Sequence, residues 1–418
     1  MASNQTFATN LKIHTTLAML LYCLFSQIVF AQNPFTFKYA HKREKIECKR
    51  VRGLLIVTAY INNKGPFNLV LDTGVGLFLI TDPSLRSLLN ITQSRKIIIS
   101  GLGSNPDIDA YVTSGLQVEI GNTISPSLPA AILDTDVFDL SAFAGMPIHG
   151  LIGYDFFNSF TTQIFYPTAT LVVYNTAMPK IKKRYKKIPL TIENNKPYCT
   201  ITAQTDDKNN YTLKTLIDLG SGNAVSLETF NNQPFPLPNV CVQANLGVGL
   251  SGDINGYIGR LKSITIGKQV IKNPICAFPN FSDVASKAIS TPRNGSIGSQ
   301  LLKKFNVIFD YKNGFMYLKP NLNYSLKFEH DMSGLELFVG GDDLNRIFIN
   351  RVEENSPADL LGIEKNDEIT TINFKKAADM GIDEITALFQ SANNKNIYLE
   401  YIHNNVLNRI ILTLKRRI

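Results

Sequence analysis

The chain has no tryptophan, and its five cysteines and five histidines are scattered through 418 residues. No zinc-like spacing links them, and no Gly-x-Ser-x-Gly elbow occurs, so metal-dependent and serine-type hydrolysis are disfavoured. No metal and no cofactor are expected. Charge is also sparse, at 18% of residues, and the net charge of +8 is too dispersed to argue for nucleic acid. Its densest patch, Lys182, Lys183, Arg184, Lys186 and Lys187, reads as a solvated linker covering residues 180–187. Long apolar runs are missing after the first 31 residues, so no later segment is expected to span a bilayer.

Residues 1–31 read as a secretory signal. Lys12 is the only charged side chain there, the stretch from Leu17 to Phe30 is mainly apolar, and Val29-Phe30-Ala31 offers a cleavage site before Gln32. An exported protein is therefore expected, periplasmic, cell-envelope or extracellular, with no transmembrane span once the signal is removed. Export permits disulfides among Cys48, Cys199, Cys241 and Cys276, and three pairings remain open. Cys199 lies in an alternating run and reads as a buried free thiol.

What is present is a repeat. Apolar strand-forming residues lead into Asp72-Thr73-Gly74-Val75-Gly76, and again into Asp218-Leu219-Gly220-Ser221-Gly222, with Asp218 lying 146 residues after Asp72. The same offset carries Gly101, Gly103, Asp107 and Tyr111 onto Gly247, Gly249, Asp253 and Tyr257. One residue shorter, it carries Gly150, Ile152, Gly153 and Phe160 onto Gly295, Ile297, Gly298 and Phe305. A register held this long indicates an internal duplication, with a period too long for a solenoid. Short β runs and turn signals recur throughout, with modest helical candidates only at Pro83–Leu89 and Tyr154–Phe160.

A strand ending in Asp-Thr-Gly, a Gly-rich hairpin, then Leu151-Ile152-Gly153 or Ser296-Ile297-Gly298 resembles an aspartic peptidase of the retropepsin or pepsin-like group. The resemblance covers roughly residues 45–320 and implies two pseudo-twofold-related β-barrel lobes, residues 32–179 and 188–325. It implies that Asp72 and Asp218 form a catalytic dyad, supported by Thr73, Gly74, Gly220 and Ser221. It also implies a hydroxyl after each Asp that locks the two loops together, which Thr73 can supply, and the hydroxyls of Thr73 and Ser221 are expected to hydrogen-bond the ionised dyad. An extended peptide or unfolded protein segment would lie in the cleft between the lobes, under flaps near Gly101–Tyr111 and Gly247–Tyr257. Two positions depart from the family: Leu219 stands where a hydroxyl residue is usual, and Val75 where Ser, Thr or Ala is usual.

After Pro320 the register breaks. Asn355-Ser356-Pro357-Ala358, the turn at Gly362 and Asn366-Asp367-Glu368-Ile369 resemble, in that order, a PDZ domain, a small α+β unit over residues 326–418. Its second helix is expected over Asp383–Ala392. Gly334, Leu335, Glu336 and Leu337 match the family's carboxylate-binding loop, which implies a C-terminal or extended peptide partner beside Leu335–Gly340. Alternation places Leu335 and Leu337 on the groove side and Glu336 toward solvent. The chain is thus expected to be mainly β and to act as an exported aspartic endopeptidase with a PDZ unit. The alternative is an inactive or weak pseudo-peptidase that binds peptides or works as a scaffold.

Overall fold

The strand Leu54–Ile61 is buried on both faces over Leu54–Val57 and alternates from Val57 onward, and the turn at Asn62-Asn63 folds it onto Lys64–Leu71. The computed structural model describes residues 34–175, 181–206, 209–284 and 292–418; the expected signal in residues 1–31 lies outside them. The protein is mainly β, with 50% strand against 12% helix.

Each repeat builds its own large sheet, of nine and ten strands. In the first, Gly150–Ile152 runs parallel to Leu69–Leu71 and antiparallel to Leu79–Ile80. In the second, Gly295–Gly298 runs parallel to Thr215–Asp218 and antiparallel to Val225–Leu227. The pairing plan is the same, so each aspartate ends a strand that is hydrogen-bonded inside its sheet.

A further six-stranded sheet takes strands from both repeats and so joins them. Thr161–Phe165 pairs with Phe305–Asp310 across its middle, register Ile164 to Val307. The basic stretch read as a linker ends inside this sheet. Lys186 and Lys187 pair with Leu318 and Tyr317, and Lys187 Nζ lies 3.4 Å from the Phe315 ring centroid. Buried Ile188 anchors the strand, while the lysines keep their ammonium groups outward.

Helices Leu85–Leu88 and Tyr154–Ser159 fall within their expected ranges. A third, Leu140–Ala144, carried no periodic signal because it is only five residues long. It is set by its ends, Asp139 and Gly145, both in the left-handed conformation with φ of 47° and 63°. The C-terminal region forms its own six-stranded sheet, with Leu335–Gly340 at one edge and the helix Ile382–Phe389 packed on its core. Cys48, Cys199, Cys241 and Cys276 are free thiols, with Cys199 buried as expected.

Phe309 is wholly buried in the joining sheet and stacks edge-on against Phe157 of the other repeat. Phe309→Ala should cost roughly 3–5 kcal/mol in urea unfolding followed by tyrosine fluorescence and circular dichroism. Both probes should shift together, because the lost contact belongs to both repeats.

Candidate active site

A carboxylate at the end of a buried strand must find hydrogen-bond donors or give up its charge. Asp72 follows Leu69, Val70 and Leu71, all essentially inaccessible, and is itself only 7% exposed. Its Oδ1 accepts the Gly74 N–H at 2.7 Å. Asp218 Oδ1 accepts the N–H groups of Gly220 and Ser221, both at 3.1 Å. The Gly220 N–H is shared, since it also reaches Asp72 Oδ1 at 3.3 Å.

Both carboxyl groups thus meet at one donor, the Gly220 N–H. Two glycines allow this approach. A Cβ on Gly220 would lie 2.4 Å from the Asp72 carboxyl carbon, and one on Gly74 would lie 3.0 Å from an oxygen of each aspartate. Burial first, and the Asp218 charge second, raise Asp72 from the usual carboxylate range to about 8. At neutral pH a carboxyl raised this far keeps its proton.

Of the two parts expected of Thr73, the structure shows the lock between the loops and not the bond to a carboxylate. The Thr73 hydroxyl does not point at a carboxylate; it crosses the junction, donating to the Ile217 carbonyl at 2.6 Å and accepting the Leu219 N–H at 3.0 Å. This ties the first aspartate loop to the second. Leu219 supplies only its backbone to that lock, and its side chain is buried in the apolar core. Ser221 holds Asp218 through its backbone N–H.

Both aspartates line a cavity of about 540 Å³. Ser100–Leu102 and Asn245–Leu250, from the two Gly-rich hairpins, line it too, and the hairpin tips meet. Ser251 donates its N–H to Leu102 at 2.9 Å, and Asn105 donates to the Ser251 carbonyl at 2.7 Å. Such an arrangement can hold an extended chain against the two carboxyl groups. Sequence reasoning missed Lys196, Tyr198, Glu228 and Arg293, which also line the cavity. A signal was present for one of them: Glu228 directly follows the wholly buried strand Val225–Leu227, where an acidic residue needs a partner.

In the C-terminal region, two N–H groups expected to receive a terminal carboxylate are engaged internally. Gly334 donates to Asp331 Oδ1 at 2.8 Å, and Leu335 to the Ser333 hydroxyl at 3.0 Å. Leu335 and Leu337 are buried in that region's core. Glu336 accepts from Asn350 at 3.1 Å and lines the cavity that holds Asp72, where open solvent was expected. Arg52, from the first repeat, binds both elements that frame the expected groove. Its N–H reaches Asp383 at 2.7 Å, and its Nη1 reaches the Leu337 carbonyl at 2.9 Å.

Residues 57–156 match the family model described as aspartyl protease, and residues 348–402 match that described as PDZ domain. The two resemblances carried by the motifs are thus found independently, on the first repeat and on the C-terminal region. Asp218 lies outside both matched spans. No curated protein matches the chain.

The raised Asp72 predicts a pH dependence of stability. Between about pH 4, where an ordinary carboxyl titrates, and its folded value, the native state holds a proton that the unfolded chain has released. Stability from this group is therefore present at low pH and lost as pH rises toward 8. Asp72→Asn, which cannot ionise, should gain stability relative to wild type as pH increases from 4 to 8. Parallel denaturant curves with a constant difference across that range would show that Asp72 is not held protonated.

Proposed function

We propose that this chain is an exported aspartic-type endopeptidase in which Asp72 and Asp218 activate water against a peptide bond. The observation that carries the reading is a pair of carboxyl groups, Asp72 buried and Asp218 half-buried, sharing the Gly220 N–H at the wall of the cavity. Peptide hydrolysis needs a base to take a proton from water and an acid to protonate the departing nitrogen. A pair with one proton supplies both. The ionised carboxyl accepts the water proton as oxygen attacks the carbonyl carbon, and the protonated one donates to the substrate. The matched aspartyl protease span supports the reaction class, and the apolar N-terminal stretch supports export. An extended peptide is the substrate, held beneath the two hairpin tips.

The C-terminal region would take an extended peptide or protein partner beside Leu335–Gly340, in competition with the bonds from Arg52. One observation favours a second reading, a peptide-binding pseudo-peptidase. The lock between the aspartate loops has a hydroxyl on one side only, Thr73, because its counterpart is Leu219.

The test is a peptide-library digest across pH. Cleavage should follow a bell-shaped profile with a broad optimum from weakly acidic to neutral pH, since burial holds the shared proton high. Asp72→Asn and Asp218→Asn should each lower kcat/KM by about 10³-fold or more while leaving the circular dichroism spectrum unchanged. Leu219→Thr should raise the rate by adding the second hydroxyl to the lock. Cleavage by Asp218→Asn at the wild-type rate would remove the dyad. No cleavage by wild type, with turnover restored by Leu219→Thr and Val75→Ala together, would establish the pseudo-peptidase reading.

A further inference from the structure

The strand registers allow the two walls of the cavity to be compared position by position. In the first repeat, Leu151 lies beside Val70 and opposite Leu79, and Val70 pairs with Ile56. In the second, Ser296 lies beside Leu216 and opposite Ser226, and Leu216 pairs with Tyr198. Equivalent positions therefore carry Leu79 and Ser226, Leu151 and Ser296. Two residues earlier on the Ile56 and Tyr198 strands stand Leu54 and Lys196. All six side chains line the cavity. One backbone plan thus presents three leucines on one wall, and two serines and a lysine on the other.

Neighbouring residues extend the contrast. The first wall continues into Phe138, Leu140 and Phe143. The second carries apolar residues too, Leu216 and the hairpin residues Leu246 and Ile254, but continues into Tyr198 and a buried ion pair, in which Arg293 Nε and Nη2 each donate to one oxygen of Glu228 at 2.9 Å. These two side chains are 9% and 2% exposed, so the charges are held at the cavity wall out of bulk water. Both Glu228 oxygens are engaged by Arg293, so the carboxylate is not presented to an incoming cation. Lys196 stands on this wall as a second cation beside Arg293, and Asp218 as its second carboxyl group.

We infer that the cleft is two-sided, taking a large apolar side chain against the first repeat and a hydrogen-bond-accepting side chain, acidic or amide, against the second. The inference rests on the hydrolytic reading for the position of the scissile bond, between these two side chains. A leucine pressed onto the second wall would strip water from hydroxyl, phenol and guanidinium groups without replacing their hydrogen bonds. A lysine would meet the two cations. An asparagine, glutamine, aspartate or glutamate accepts from these donors.

The experiment uses matched fluorogenic peptides with Phe on one side of the central bond and Asn, Asp, Leu or Lys on the other, in both orders. Cleavage is measured with wild type, and affinity with the Asp218→Asn variant by fluorescence anisotropy. Asn or Asp should exceed Leu and Lys by about tenfold or more in the preferred order. Ser226→Leu with Ser296→Leu, which copies the first wall onto the second, should reverse the Asn-over-Leu ranking. Should that double variant misfold, Ser296→Ala should narrow the ranking several-fold. Cleavage that accepts Leu as readily as Asn overturns this inference and leaves the hydrolytic reading intact. Binding with the stated ranking but no cleavage supports the two-sided cleft and overturns the hydrolytic reading. Neither binding nor cleavage overturns both.

Discussion

Two carboxyl groups that share one backbone donor beside a buried core resist ionising together, and the architecture of this protein converges on keeping them there. Each aspartate terminates a strand paired on both sides within its sheet, so neither can retreat from the other without breaking backbone hydrogen bonds. The Thr73 hydroxyl spans the junction, and Gly74 and Gly220 leave room for the carboxyls to meet. Behind them the six-stranded sheet, with strands from both repeats, fixes the distance between the two halves of the site. A buried carboxyl beside a second one is costly to hold in place, and rigid support on this scale is what such a pair requires.

Duplication supplied the backbone plan twice, but the side chains have diverged where they meet the cavity. Thr73 retains a bridging hydroxyl while Leu219 turns into the core. Leucines on one wall correspond to serines on the other, and the buried Glu228–Arg293 pair has no ionic counterpart among the leucines of the first wall. Strand pairing depends on backbone groups common to every residue, so the fold tolerates this divergence. Side chains that face a cavity are under no packing constraint from the opposite wall and are free to specialise.

The C-terminal region is joined to the first repeat through one residue of particular consequence. Arg52 stacks over Phe143, which lines the cavity, and bonds to Leu337 and Asp383, which belong to the C-terminal sheet and its helix. Its guanidinium is thereby desolvated between a peptide carbonyl and an aromatic face, a setting that suits arginine because its charge is delocalised and its donors are planar. Glu336 from the same C-terminal strand lines the cavity. The cavity is therefore bounded by residues from both repeats and from the C-terminal region.

Much of this was legible in the chain itself. The constant offset between Asp72 and Asp218 revealed the duplication, alternation marked most strands, and the Asp-Thr-Gly and Ser-Pro-Ala motifs carried both family resemblances. These features are local or periodic, and periodicity survives in one dimension. The rest depended on residues far apart in sequence meeting in space. The family resemblance implied that Thr73 locks the loops, but only the fold shows that its partners are the Ile217 carbonyl and the Leu219 N–H, 144 and 146 residues away. Nothing near Gly334 announces that Asp331 and Ser333 occupy its loop, because a short acidic turn reads the same whether its carboxylate faces inward or outward. The helix Leu140–Ala144 is too short for periodicity to register, and the polarity of the second wall emerges only once the strand registers align Ser296 with Leu151. Sequence determined which backbone elements form and that they form twice; tertiary structure alone decided which side chains share the cavity, because shared solvent exclusion is a property of the folded surface and not of any stretch of chain.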